Sequence, residues 1–513
     1  MKHKQFLINI VAKIIAFTVS LGISFFLTPF LVKSVGKEAY GFVGLANDFV
    51  NYALIVTMAL NSMAGRFITI SLYEKNDESV NKYFTSVIVA NVVITSIMII
   101  PSIFIVLFIN KIVHVPSNIL IDVQLLWGFI FLNLLISIIG SVFGVAAFSK
   151  NRLDLESKRT IESNILKVVV LLIAFYFFRP SVWYIGLAST LCTIYIIFVN
   201  IYYTKKLLPQ VHLDKKYFDL RSIKVLILSG VWNSVSQLSE ILSSGLDLLV
   251  ANIFIGASAM GVLSIAKTIP TMVLAVFAML ASIFAPQLTI SYAQKDFNAI
   301  RRQLLISMKL LGILSCIPMA ILFAYGDSFY RLWIPDQNAQ LLQILSIIIC
   351  FGLVFALPLE GLWNVFTATN KVKQSSVFLL CSSIISIGFT FIGIILTKDE
   401  TVKLFIISGT SSVIGCFRAL TFLPMYGAKC LKLKITTFYP VIAKNAISVA
   451  ILTCISFLIK KSFTIDSWKK LFLVCLLTAT IGILINVFLI LSKEERNKFK
   501  GMISKRLIFL NRR

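Results

Sequence analysis

The sequence is poor in the residues that build most catalytic and metal centres. It has 3 histidines, His3, His114 and His212, in a tail or in loops and far apart. That is too few ligands for a His-based metal cluster. Of its 8 cysteines, Cys192, Cys316, Cys350, Cys381, Cys416, Cys454 and Cys475 lie in apolar runs, Cys430 lies in a short basic loop, and none forms a C-x-x-C pair. They read as small apolar core residues. No phosphate-binding Gly-rich loop, dinucleotide turn or Ser/His/Asp set is apparent, so ATP is not the expected energy source. The reading is a non-enzyme with no catalytic residue, no metal and no cofactor beyond a coupling ion, H⁺ or Na⁺. Charge is scarce too. Only 14% of residues are charged and 58% are hydrophobic, against roughly 25% and 45–50% in a soluble domain. With a mean hydropathy of +0.92, this excludes both a water-soluble globule and a disordered chain. The net charge of +26 would suggest nucleic acid in a soluble protein. In a membrane protein its placement matters more than its sum, and no nucleic-acid partner is expected.

What the sequence has in abundance is apolar runs of the ~20 residues that a membrane helix needs. Fourteen are counted: 6–32, 39–65, 83–109, 119–148, 161–178, 181–203, 222–254, 258–290, 303–326, 339–369, 374–397, 402–426, 436–459 and 468–491. The first follows Met-Lys-His-Lys like a signal peptide, but it is long and lacks a clear small-x-small cleavage site, so it reads as an uncleaved span. The seventh, eighth and tenth runs make ~45–50 Å of helix and should tilt, bend or protrude. Pro270, Pro286 and Pro358 lie inside two of these and favour kinks. Most of the 48 Lys and Arg fall in alternate loops and at both termini. This places both termini in the cytoplasm, with a basic tail, 493–513, suited to the anionic inner leaflet. No loop is long enough for a soluble catalytic domain.

The chain also repeats itself. Shifted by 220 residues, Gly36–Lys75 meets Gly256–Lys295 without a gap, and 12 of 40 positions are identical. Among them are Gly36/Gly256, Gly41/Gly261, Ser62/Ser282 and Lys75/Lys295. Six spans separate the copies, so both have the same orientation and are parallel repeats. The expected organisation is all-α: an N-lobe 1–204, a cytoplasmic linker 205–221, a C-lobe 222–426, two further helices in 427–492 and the tail 493–513. The two six-helix lobes should be pseudo-symmetric.

A first span, a glycine-bounded outer turn G-x-x-x-y-G, and a long helix ending in a polar cytoplasmic turn, all repeated after six helices, resemble the multidrug/oligosaccharidyl-lipid/polysaccharide exporter superfamily. Fourteen spans with short loops resemble its polysaccharide-biosynthesis branch, which includes the Wzx-type O-antigen flippases. The resemblance covers essentially the whole chain. It implies a two-lobe bundle that moves an undecaprenyl-diphosphate-linked oligosaccharide from the inner to the outer leaflet by alternating access. It also implies membrane lipids, a polysaccharide polymerase and glycosyltransferases as partners.

Polar residues inside the runs mark the candidate site, because charge in a membrane is expensive and functional by default. Lys167, Arg418, Lys444, Arg66 and Lys309 lie near cytoplasmic ends and read as snorkelling. Lys13, Asp48, Glu240, Asp247, Lys267 and Glu360 do not. They fall on the first, second, seventh, eighth and tenth runs, and their first reading is a shared cavity lining, the second scattered structural pairs. In the seventh run Asn233, Gln237, Glu240, Ser244 and Asp247 step by four and three along one α-helical face. Glu360 and Asn364 share a face in the tenth. Asn133, Ser137 and Ser141, with Gly140 and Gly144, read first as close helix packing. Two cations and four carboxylates would repel a diphosphate if all were ionised. Either Lys13 and Lys267 meet the phosphates, or a carboxylate is protonated, or a cation neutralises the excess. The last two make Glu240, Asp247 and Glu360 candidates for ion coupling. The acidic balance also fits a multidrug or organic-cation exporter of the same superfamily. A lipid II flippase, a membrane-embedded polymerase or glycosyltransferase, and a pure scaffold are weaker readings.

Overall fold

The computed structural model describes residues 2–284, 288, 291–292, 294–369, 371–491 and 495–496. Among them the chain is all-α, with 14 helical stretches long and apolar enough to cross a membrane. Each corresponds to one run read from the sequence. A membrane interior offers no water to backbone groups, so a continuous apolar run closes its hydrogen bonds within a helix. The helix starts are set by short polar caps. Asn76 accepts from the Ser79 amide at 2.9 Å, Asp296 from Ala299 at 2.9 Å, Asn338 from Leu341 at 3.1 Å and Asp399 from Val402 at 2.9 Å. The eighth run's Pro286 and most of the basic tail lie outside the described residues.

The repeat extends to the backbone. Gly36 and Gly256, 220 residues apart, both have positive φ (85° and 140°), as do Lys75 and Lys295 (57° each). Positive φ is cheap only for glycine, which explains why the outer turn keeps one in each copy. After each left-handed lysine an amide reaches back to a serine carbonyl, Asn76 to Ser71 and Asp296 to Ser291, both at 3.0 Å. The fourth and tenth spans, six apart, are also broken alike. A 3₁₀ turn, Ser141–Gly144, separates helices Leu120–Gly140 and Val145–Ser149. A second, Leu357–Leu359, separates Ala339–Ala356 from Gly361–Ala368.

Pro358 lies in that second turn, as its missing amide demands. Pro270 does not break its span: the helix Ala257–Ser282 runs through it. Pro270 has no N–H for the carbonyl four residues back, that of Ala266. The Ser346 hydroxyl donates to this carbonyl instead, at 2.9 Å, and Tyr330 lies 2.6 Å from the same hydroxyl. The seventh span hides a different irregularity. Its helix Leu220–Glu240 passes into a π turn, Ile241–Gly245, before continuing as Asp247–Phe254.

The chain forms two compact units. The first holds Met1–Ile265 and Ser376–Ile387, the second Ala266–Ser375 and the residues from Gly388 onward. They are not the two sequence repeats, because the seventh span belongs to the first unit. In that unit Leu60, Ala64 and Ile68 of the second span, Val80, Phe84 and Val87 of the third, Val142 and Val145 of the fourth and Leu226 of the seventh form one core. The second and seventh spans touch backbone to backbone, since a Cβ on Gly230 would lie 2.0 Å from the Ala59 carbonyl oxygen. The repeat-related glycines also meet. A Cβ on Gly41 would lie 2.9 Å from the Gly261 Cα, and one on Gly261 would lie 2.4 Å from the Lys37 oxygen.

In the second unit the ninth span, Phe297–Trp333, is the post on which the last two spans are hung. From the thirteenth, Lys460 donates to the Asp327 carboxylate and to the Ala324 carbonyl, the latter at 2.9 Å. From the fourteenth, the Asn486 amide donates to the Ile313 carbonyl at 3.2 Å, and Thr478 lies 3.0 Å from the Tyr325 hydroxyl. Lys309, read from the sequence as a snorkelling side chain, is instead paired with Glu495 at 2.7 Å.

Candidate functional site

The stripe read on the seventh span presumes an unbroken α-helix. The π turn closes i→i+5 instead and absorbs one extra residue. Everything beyond it is turned by about 100°, one residue's worth of α-helix. Asn233, Gln237 and Glu240 therefore share a face, but Ser244 and Asp247 are rotated off it. Such a turn at a stripe of carboxylates is where π segments concentrate in functional helices.

The rotation brings Asp247 into relation with the second span. Tyr52 donates its hydroxyl to the carbonyl of Gly245, inside the π turn. Asp48 lies one turn earlier on the same helix as Tyr52, and Asp247 lies two residues after the carbonyl that Tyr52 binds. The same pair of spans is laced further along by Ser234, whose hydroxyl donates to the Ile55 carbonyl at 3.2 Å, and by Asn233, whose amide donates to Ser62 at 3.1 Å. Asn233 thus has a structural partner. Gln237 is half-buried, while Glu240 and Lys13 are exposed within the first unit.

The remaining candidates belong to the second unit. Glu360 stands directly after the 3₁₀ turn of the tenth span and opens the helix Gly361–Ala368. Asn364, one turn on, donates to the Ala281 carbonyl at 3.0 Å and so fastens the tenth span to the eighth. Lys267 is half-buried on the eighth span. Each ion-coupling candidate, Glu240, Asp247 and Glu360, therefore lies at the edge of a helix interruption. Interrupted spans present backbone carbonyls that a regular helix would consume, which is how broken membrane helices coordinate small cations and protons. Among the described residues no three His, Cys, Asp or Glu side chains converge as a metal cluster.

The sequence reading missed two features. Tyr52 reads as one more aromatic in an apolar run, and its spacing of four from Asp48 was the available signal. The second is a buried amide network. The Asn91 amide, fully buried, donates to Asn61 at 3.1 Å, to the Ile138 carbonyl at 3.0 Å and to the Ser141 hydroxyl at 3.1 Å. It holds the 3₁₀ turn of the fourth span to the second and third. Close packing beside that turn is present as well, since a Cβ on Gly140 would lie 2.4 Å from Ile197.

Interrupted spans, in a repeat of six, arranged in a 14-span bundle, delimit the families worth comparing. The family model described as polysaccharide biosynthesis protein matches residues 6–289, more than half of the chain. The chain belongs to the polysaccharide biosynthesis protein family. A second model, MatE, matches residues 234–392, from the seventh span into the eleventh. Among curated proteins, the chain is 28% identical over 499 residues to the uncharacterized membrane protein EpsK of Bacillus subtilis (strain 168), covering 96% of this chain and 97% of EpsK. Among solved structures, the lipid II flippase MurJ in an inward closed conformation aligns with a TM-score of 0.66 at 17% identity, over 94% of this chain and 98% of MurJ. An inward-facing MATE family multidrug resistance transporter aligns with a TM-score of 0.60 at 14% identity, over 81% of this chain and 95% of its own. This member of the polysaccharide biosynthesis family thus has the fold of membrane flippases and transporters.

Proposed function

We propose that the chain flips an undecaprenyl-diphosphate-linked oligosaccharide from the inner to the outer leaflet of a bacterial cytoplasmic membrane, with both termini cytoplasmic. It does so by alternating access, without covalent chemistry, and draws on an H⁺ or Na⁺ gradient. The observation that carries this reading is family membership joined to a fold match with a flippase over nearly the full chain. The MATE match leaves out a further stretch about the size of two spans and their connections, which favours a flippase over a drug exporter. Lys13 of the first unit and Lys267 of the second are each a candidate for phosphate oxygens. Asp48, Tyr52 and Asp247 are assigned to sugar hydroxyls and the coupling ion, because ionised carboxylates repel an anion. A polymerase and glycosyltransferases stand after and before the step.

A second reading has its own support. The carboxylates of the seventh span suit an organic cation, and the MatE match begins in that span. One experiment decides between them. The gene is deleted, undecaprenyl-linked sugars are extracted and weighed by mass spectrometry, and an impermeant sugar oxidant reports the leaflet. A complete repeat unit accumulating on the inner face supports flipping and gives its mass. Unchanged lipid-linked sugars with raised sensitivity to cationic drugs support export.

A further inference from the structure

The fifth span, Leu153–Phe177, carries a guanidinium that the site above does not use. Arg159 is 5% exposed, and its Nε and Nη1 are buried without a hydrogen-bond partner. The carboxylates that should serve it are engaged or turned away. Asp154 is held by Arg152 at 3.0 Å and by the Gln5 amide at 2.9 Å. Glu162 accepts from Tyr195 at 2.7 Å and faces Lys158 at 3.7 Å. Glu156, three residues before Arg159, is exposed and acts on the guanidinium through its charge, without an ion pair among the described residues.

Arginine cannot shed its proton. A buried lysine or carboxylate can neutralise itself, but a buried guanidinium needs an anion. Its surroundings add cations. Lys167, two turns further on the same helix, also lies against the sixth span, near Cys192, and no ion pair serves it. Lys205 and Lys206 close the sixth span, whose Tyr195 and Tyr203 lie within electrostatic reach of Arg159. Arg159 lies six residues into its helix, roughly 9 Å from the end at 1.5 Å per residue. That is headgroup depth rather than the hydrocarbon centre.

We propose that Arg159, with Tyr203, forms a phosphate site for a membrane lipid between the fifth and sixth spans at the cytoplasmic end of the first unit. The planar guanidinium supplies paired N–H donors matched to phosphate oxygens. The lipid's chains lie along the exposed fifth span, where Ile165, Val169 and Leu172 face outward. The same phosphate chemistry belongs to an anionic phospholipid and to a polyprenyl phosphate carrier, and the test separates them.

The full chain is reconstituted in phosphatidylcholine nanodiscs doped with either phosphatidylglycerol or undecaprenyl phosphate, and retained lipid is counted by native mass spectrometry. The expected result is one phosphate lipid held in preference to phosphatidylcholine, with about tenfold weaker retention in Arg159→Gln, as the loss of ~1.4 kcal/mol implies. Arg159→Lys should weaken it less. The lipid bound at lower concentration names the source. Equal retention by wild type and Arg159→Gln for both lipids overturns the proposal. If Arg159→Gln does not fold, p-benzoylphenylalanine in place of Tyr203 decides. Labelling of the phosphate lipid supports the site, and no labelling above phosphatidylcholine overturns it. No transport is measured, so the site can fail while flipping stands, and it can hold where flipping fails.

Discussion

Tyr52, one turn after Asp48, donates to a carbonyl inside the π turn that precedes Asp247. Tyr52→Phe removes the donor and keeps the ring. The expected cost is about 1 kcal/mol of stability, read as a lower melting temperature in detergent. A larger effect is expected on gradient-driven flipping, and a variant that flips normally under every gradient would remove Tyr52 from the mechanism. Glu240→Gln should weaken dependence on the ion gradient with little loss of fold, because Glu240 is exposed. At the N-terminus of the seventh span, Asp219 caps the helix. The Ser222 hydroxyl at 2.8 Å, followed by the Arg221 amide, holds its carboxylate below the usual range. Since the folded value is depressed, the cap's stability is present above the unfolded value and is lost as pH falls through the folded one. Acid titration of wild type against Asp219→Ala should show a difference above that window that vanishes below it.

At the scale of elements, the two prolines of the eighth and tenth spans show how far sequence reaches. Pro358 marks a break, and the chain breaks there. Pro270 marks one equally well, yet its helix is continuous, because Ser346 supplies the missing donor from 80 residues away. Nothing near Pro270 announces it. Ser346→Ala should destabilise by about 1 kcal/mol. In the Pro270→Ala background, where the helix supplies its own amide, that penalty should largely vanish; a cycle showing simple additivity would refute the compensation. The fourteen spans were legible because each needs an apolar run of its own. The π turn was not, because steps of four and three fit an α-helix well. Arg159 stood at the edge of a run and read as a loop charge, and only its burial without a partner sets it apart. Deleting one residue of Ile241–Gly245 would restore α register and turn Asp247 by about 100°. The expected outcome is a folded protein, judged by size-exclusion profile, that no longer flips.

For the whole molecule, the repeat is more than a resemblance between segments. The second span belongs to one copy and the seventh to the other, and they are laced by Asn233–Ser62 and by the Gly230–Ala59 backbone contact within one compact unit. A chain severed in the exposed linker, between Lys215 and Lys216, should therefore still assemble when its two fragments are co-expressed. Co-purification through a tag on one fragment reads this directly. Gly230→Val, whose new side chain would collide with the Ala59 carbonyl, should abolish it.

Gly41 and Gly261 occupy corresponding places in the two copies, and they touch. Two corresponding residues come together only where a two-fold axis passes, and on such an axis a protomer meets its own image. The contact therefore lies on the seam between the two copies of the repeat, whose first and seventh spans carry unequal charges on either side of it.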